Sequence, residues 1–99
     1  MTGAGPTPVK SVRVRLDGRV QGVWFRGWTV QEATALGLDG WVRNNFDGTV
    51  EAVFSGDARA VDRMVALCRQ GPRFARVDSL NVAPAPAPAQ RGFRQIRGG

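Results

Sequence analysis

The chain is 99 residues long and 42% hydrophobic, and its net charge of +6 comes from 14 Lys and Arg against 8 Asp and Glu. That length suits one domain burying about two-thirds of its unfolded surface, and the apolar share argues against disorder. One cysteine and no histidine exclude an internal disulfide framework and argue against a zinc site or a Ser-His triad. No apolar run nears the about 18 residues of a membrane helix. Met1-Thr2-Gly3-Ala4-Gly5-Pro6 also lacks the charged and apolar regions of a signal peptide, so a soluble, cytoplasmic protein is expected. The positive charge is almost wholly arginine, with Lys10 the only lysine. Such a surplus favours anionic partners without choosing among nucleic acid, an acidic surface and a phosphorylated small molecule. The arginines are dispersed rather than clustered, so a solvated basic surface accounts for most of them.

Residues 1–9 are small and Gly/Pro-containing and are expected to form a flexible N-terminus, with a folded domain over 10–97. From Lys10 to Asp17, Val12, Val14 and Leu16 alternate with Ser11, Arg13 and Arg15, the period of a strand with one buried face. Gly18-Arg19-Val20-Gln21-Gly22-Val23-Trp24-Phe25-Arg26 follows, and a helix is predicted from about Val23 to Leu36, stopped by Gly37. Phe25, Thr29, Ala33 and Leu36 share its apolar stripe, and Trp28 is read as packing. Gly40–Phe46 and Thr49–Phe54 are strand-like runs joined by Asp47-Gly48, a strong hairpin signal. Ser55-Gly56-Asp57 closes the hairpin, and Asp57 caps a second helix from about Ala58 to Gln70. Val61, Met64, Val65 and Cys68 fall at i, i+3, i+4 and i+7 along it, and Gly71-Pro72 ends it. Ala75–Val82 reads as a strand. Prolines at 84, 86 and 88 predict an extended crossover that neither coils nor joins a ladder, before a short edge strand Phe93-Arg94-Gln95-Ile96. The order β-α-β-β-α-β plus a terminal strand is the ferredoxin-like α+β arrangement, two helices over one face of a mainly antiparallel sheet.

A strand that enters a helix through two glycines, with arginine in the first turn, has the parts of an anion cradle. Converging backbone N–H groups, the positive helix end and the Arg26 fork all suit phosphate oxygens. On spacing alone, an ordinary strand-to-helix turn with a solvated arginine fits as well. Asn44, near the end of the strand before the Asp-Gly turn, reads on spacing as turn chemistry. Cys68 lacks the Cys-x5-Arg pattern of thiol phosphatases, since Phe74 stands six residues on, and its place on the helix stripe makes it core. Asp47 is explained by its turn and Glu51 by an exposed strand face. No paired acid and base emerges.

At this point the chain resembles the acylphosphatases. Gly18–Arg26 is similar to that family's first signature, and Gly40-Trp41-Val42-Arg43-Asn44 with Asp47-Gly48 to its second. Leu36-Gly37-Leu38 and Gly92-Phe93-Arg94-Gln95-Ile96 also fit, so the likeness runs from about Lys10 to Arg97. The resemblance implies the same fold and metal-free hydrolysis of the carboxyl–phosphate bond of acyl phosphates, with no cofactor. It puts the substrate-binding arginine on Arg26 and the water-positioning asparagine on Asn44. The phosphate cradle falls on the loop from Gly18 to Trp24, with Arg19, Val20, Gln21, Gly22, Val23 and Trp24 binding phosphate. Trp24 stands where many members carry glycine or another aromatic, and Asn45 where threonine or leucine is common. The expected partners are a small acyl phosphate and inorganic phosphate, with no nucleic acid, no membrane and a monomeric state.

Chemistry agrees with that implication. A carboxylate leaving group, whose conjugate acid has a pKa of about 4, departs without a proton from the enzyme. Phosphoryl transfer asks mainly for positioning and charge stabilisation. The alternative is an RNA-binding module of the same topology. It requires stacking aromatics on the central strands, where this chain has Val12, Val14 and Leu16 and only Phe54 at the end of the other strand. A maturation-factor domain keeping the fold without turnover is a second alternative, against which Arg26 and Asn44 both stand.

Overall fold

A computed structural model describes residues 8–98. The elements are β1 (Val9–Arg19), α1 (Phe25–Ala35), β2 (Asp39–Asn44), β3 (Val50–Asp57), α2 (Ala58–Gln70), β4 (Arg76–Pro84) and β5 (Phe93–Gln95). The strands form one sheet in the order β4-β1-β3-β2-β5. All neighbours are antiparallel except β2 and β5. This is the ferredoxin-like α+β fold that the element order predicts.

Register explains how the alternating sequence becomes a core. Val12, Val14 and Leu16 of β1 stand opposite Phe54, Ala52 and Val50 of β3, and Val42 of β2 stands opposite Ala52. Directly opposed residues share a face of the sheet. All seven are buried in one cluster with Phe25 and Ala33 of α1 and Val61, Met64 and Cys68 of α2. Both helices therefore cover that face. The opposite face carries Arg13, Arg15, Trp41, Arg43 and Glu51.

Helix ends follow local chemistry. α1 closes with Leu38 N–H donating to Ala33 O at 2.9 Å and Gly37 N–H to Thr34 O at 3.0 Å, the paired bonds of a Schellman stop. Asp57 caps α2, its side chain accepting from Arg59 N at 2.8 Å. Trp28 packs edge-on against Phe25, ring centroids 5.4 Å apart.

The structure adjusts several boundaries. β1 begins at Val9, within the stretch expected to be flexible, and Pro8 O accepts from Ala58 N–H at 2.9 Å; residues 1–7 lie outside the described residues. α1 begins at Phe25 rather than Val23, because Trp24 holds a left-handed conformation that a helix cannot contain. The hairpin turns through Phe46, Asp47 and Gly48: Gly48 N–H donates to Asn45 O at 3.1 Å and Asn45 N–H to Thr49 O at 2.8 Å. β3 runs on to Asp57, paired with Val9.

β4 extends into the proline run, correcting the expectation that this run stays out of the ladder. Ala83 and Pro84 pair with Arg13 and Val12, and Ala85 N–H donates to Ser11 O at 3.1 Å. The reason is parity. Prolines at every second position turn their missing donors away from β1 on an edge strand, where no ladder bond is lost. Near its other end β4 holds one extra residue, so Asp17 and Gly18 oppose Ser79 and Val77. A Cβ on Gly18 would lie 2.3 Å from Arg76 O, so Gly18 serves this bulge.

Candidate active site

Residues 20–24 carry the chain from β1 to α1. Gly22 (φ +75°) and Trp24 (φ +65°) both adopt left-handed backbone, and Trp24 is the only non-glycine with positive φ among the described residues. Such a conformation costs an L residue about 1–2 kcal/mol. The strain turns the loop so that Val20, Gly22 and Trp24 face one small cleft.

α1 starts at this cleft with its donors unused. Trp28 N–H donates to Trp24 O at 3.0 Å, the first bond of the helix. The N–H groups of Phe25, Arg26 and Gly27 therefore have no acceptor inside it. No side chain caps the end, and no acidic residue lies in the first turn. The start of α2, by contrast, is capped by the Asp57 side chain. Arg26, half-buried in the first turn, adds a full charge. Ion pairs among the described residues engage Lys10, Arg13, Arg15, Arg43 and Arg76, and Arg26 joins none of them.

Asn44 enters from the sheet. As the last residue of β2 it stands opposite Val50 and so on the helix-covered face, at the end where α1 begins. Its Oδ1 is buried with no hydrogen-bond partner among the described residues. Leaving such a group unmet costs about 1–3 kcal/mol, so a functional site or a bound water is its usual explanation. Together Val20, Gly22, Trp24, Phe25, Arg26, Gly27, Asn44 and Gln95 line a cleft of about 130 Å³. Sequence reasoning did not single out Gln95. It arrives by the parallel pairing of β5 with β2, opposite Val42, and no local pattern reveals that register.

Of the six residues expected to bind phosphate, Val20, Gly22 and Trp24 line the cleft, whereas Arg19, Gln21 and Val23 do not. Arg19 is exposed and ends β1 opposite Arg76. Val23 packs against the core. Gln21 Nε2 donates to Asn45 O and Thr49 O, both at 2.9 Å, and so ties the loop to the β2–β3 turn beside Asn44.

Behind that turn lies a polar network. Asn45 Nδ2 donates to Thr49 Oγ1 at 3.0 Å and to Glu51 Oε1 at 3.3 Å. Arg43 Nη2 lies 2.9 Å from Glu51 Oε1, and Arg13 Nε 3.2 Å from Oε2. Glu51 is therefore buried rather than on an exposed face as the strand pattern suggested. Burial pushes its carboxyl up, but hydrogen bonds from Arg43 and Asn45 and the charges of Arg43 and Arg13 together hold it below the ordinary carboxylate range. Asp47 is also held low, by the Thr49 hydroxyl and N–H and by its ion pair with Arg15. Cys68 is fully buried, and burial pushes its thiol up to about 12, which suits a core side chain and not a nucleophile. No group of three or more His, Cys, Asp and Glu side chains converges among the described residues.

Comparison with known proteins bears on the family. The acylphosphatase family model matches residues 12–95. An acylphosphatase of Rhodospirillum rubrum is 59% identical over 87 residues, covering 88% of this chain and 96% of its own length. One from Rhizorhabdus wittichii is 50% identical over 95 residues, 96% of each chain. The solved structure of an acylphosphatase from Coxiella burnetii superposes with a TM-score of 0.85 at 31% identity, over 89% of this chain and 93% of that one. Sequence and fold agree over nearly the full length of both partners, and the chain belongs to the acylphosphatase family.

Proposed function

We propose that this acylphosphatase hydrolyses small acyl phosphates in the cleft between Arg26 and Asn44, without a resident metal. The observation that carries the reading is the meeting of an uncapped helix start, an arginine outside the ion pairs above and a buried, unpartnered Asn44 Oδ1 in one small cleft. The N–H groups at the start of α1 and the Arg26 guanidinium take the phosphoryl oxygens. Asn44 Oδ1 accepts a hydrogen bond from water and holds it in line with the leaving oxygen. The water oxygen bonds to phosphorus while the bond to the acyl oxygen breaks. Its proton passes to a phosphoryl oxygen, and the products are a carboxylate and inorganic phosphate. No protein base is needed, which matches a chain without histidine.

The same reading takes the enzyme as a cytoplasmic monomer that binds no nucleic acid. No described helix is long and apolar enough to cross a membrane. On the open sheet face the central strands β1 and β3 present Ser11, Arg13 and Arg15 opposite Ser55, Val53 and Glu51, none of them a ring for a base to stack on, and the Trp41 ring beside them on β2 lies beneath the Arg43 guanidinium.

Benzoyl phosphate hydrolysis in excess chelator tests the reading. Turnover is expected to persist there. Arg26→Ala is expected to lose both phosphate inhibition and turnover, whereas Asn44→Ala retains phosphate inhibition and loses about a hundredfold or more in kcat. Wild-type rates in either variant would remove the role assigned to that residue.

A further inference from the structure

We propose that Trp24 is the platform for the acyl half of the substrate, and that it biases the enzyme toward acyl phosphates whose acyl group is a planar aromatic. The inference rests on the phosphoryl site described above and extends it to the leaving group. The cleft, at about 130 Å³, is far smaller than the roughly 300–1,000 Å³ of pockets that enclose whole organic ligands. It has space for a phosphoryl group and a water. The acyl group must therefore lie at the mouth, where the exposed side chains of the lining are Trp24 and Gln95.

Trp24 is held for such a task. Its backbone is fixed in the left-handed region, and its indole lies against Gly27 at the start of α1. A Cβ on Gly27 would lie 2.1 Å from the indole Nε1 and 2.8 Å from Cδ1, so the five-membered ring rests on a bare α-carbon that only glycine supplies. The residue is nevertheless 59% exposed. The other two tryptophans are committed elsewhere, Trp28 against Phe25 and Trp41 beneath the Arg43 guanidinium. Trp24 has no ring or cation partner among the described residues. A strained, backed and exposed indole beside an anion site is a surface on which a flat ring can stack, and stacking favours rings over short alkyl groups.

Trp24→Gly removes the ring and keeps the left-handed backbone. Relative kcat/KM for benzoyl phosphate over acetyl phosphate is measured in the wild type, Trp24→Gly and Trp24→Phe. Any general effect of the substitution on phosphate binding multiplies both substrates alike and cancels in this ratio. The ratio is expected to fall about three- to tenfold in Trp24→Gly, the scale of one aromatic pair, and to stay within about twofold in Trp24→Phe. A ratio unchanged in Trp24→Gly, with both substrates still hydrolysed, overturns the platform and leaves the phosphoryl site standing. A wild type that hydrolyses neither anhydride overturns the site itself, and the platform with it.

Discussion

At the scale of single residues, the site turns on side chains whose partners are missing or oddly supplied. Arg26 and Asn44 could be named from the chain because the stretches that hold them resemble the two acylphosphatase signatures; on spacing alone Arg26 fits a solvated turn as well, and Asn44 reads as turn chemistry. Their convergence could not be read locally. It follows from Asn44 opposing Val50 on the helix-covered face. Glu51 shows the limit most clearly. Strand alternation puts it on the outward face, which is where it lies, yet Arg13, Arg43 and Asn45 close over it from neighbouring strands. Its lowered folded pKa means the unfolded chain takes up the proton first as the pH falls. The stabilisation is thus complete above the ordinary carboxylate range and is lost below it. Glu51→Gln is expected to destabilise the protein by about 1–3 kcal/mol at pH 7. In urea melts that gap should shrink as the pH falls from about 5 to 3. A gap that ignores pH would mean that the carboxylate charge contributes nothing there.

At the scale of elements, the two helix starts divide the labour. α2 is closed by Asp57 and serves stability; α1 is left open and, in the proposed site, takes the anion. Asp57→Ala is expected to cost about 1 kcal/mol in thermal or urea unfolding while leaving kcat for benzoyl phosphate unchanged. A comparable loss of activity would show that α2 and the cleft are coupled more tightly than the contacts suggest. Both helices and all five strands were legible from apolar periodicity and turn residues. The misreadings have one cause, which is that pairing partners are not written in a strand's own sequence. The proline run reads as unpaired until β4 is seen to be an edge, and nothing local marks Gly18 as the residue on which the β4 bulge presses.

At the scale of the molecule, the fold is a device for bringing two distant segments to one end of the sheet. The β1–α1 loop and the end of β2 are far apart in sequence, and the β1–β3–β2 order plus the Gln21 tether holds them together. Nothing in that device needs a large pocket. In the proposed mode the cleft takes only a headgroup, and the rest of the ligand meets the rim.

The central claim is that the headgroup sits between the start of α1 and Asn44. A crystal of the protein grown with orthophosphate tests it most directly. One phosphate is expected within hydrogen-bond distance of the Arg26 guanidinium and the first N–H groups of α1, with Asn44 holding a water against it. A phosphate-saturated crystal with that cleft empty and Asn44 turned away from it would contradict the account.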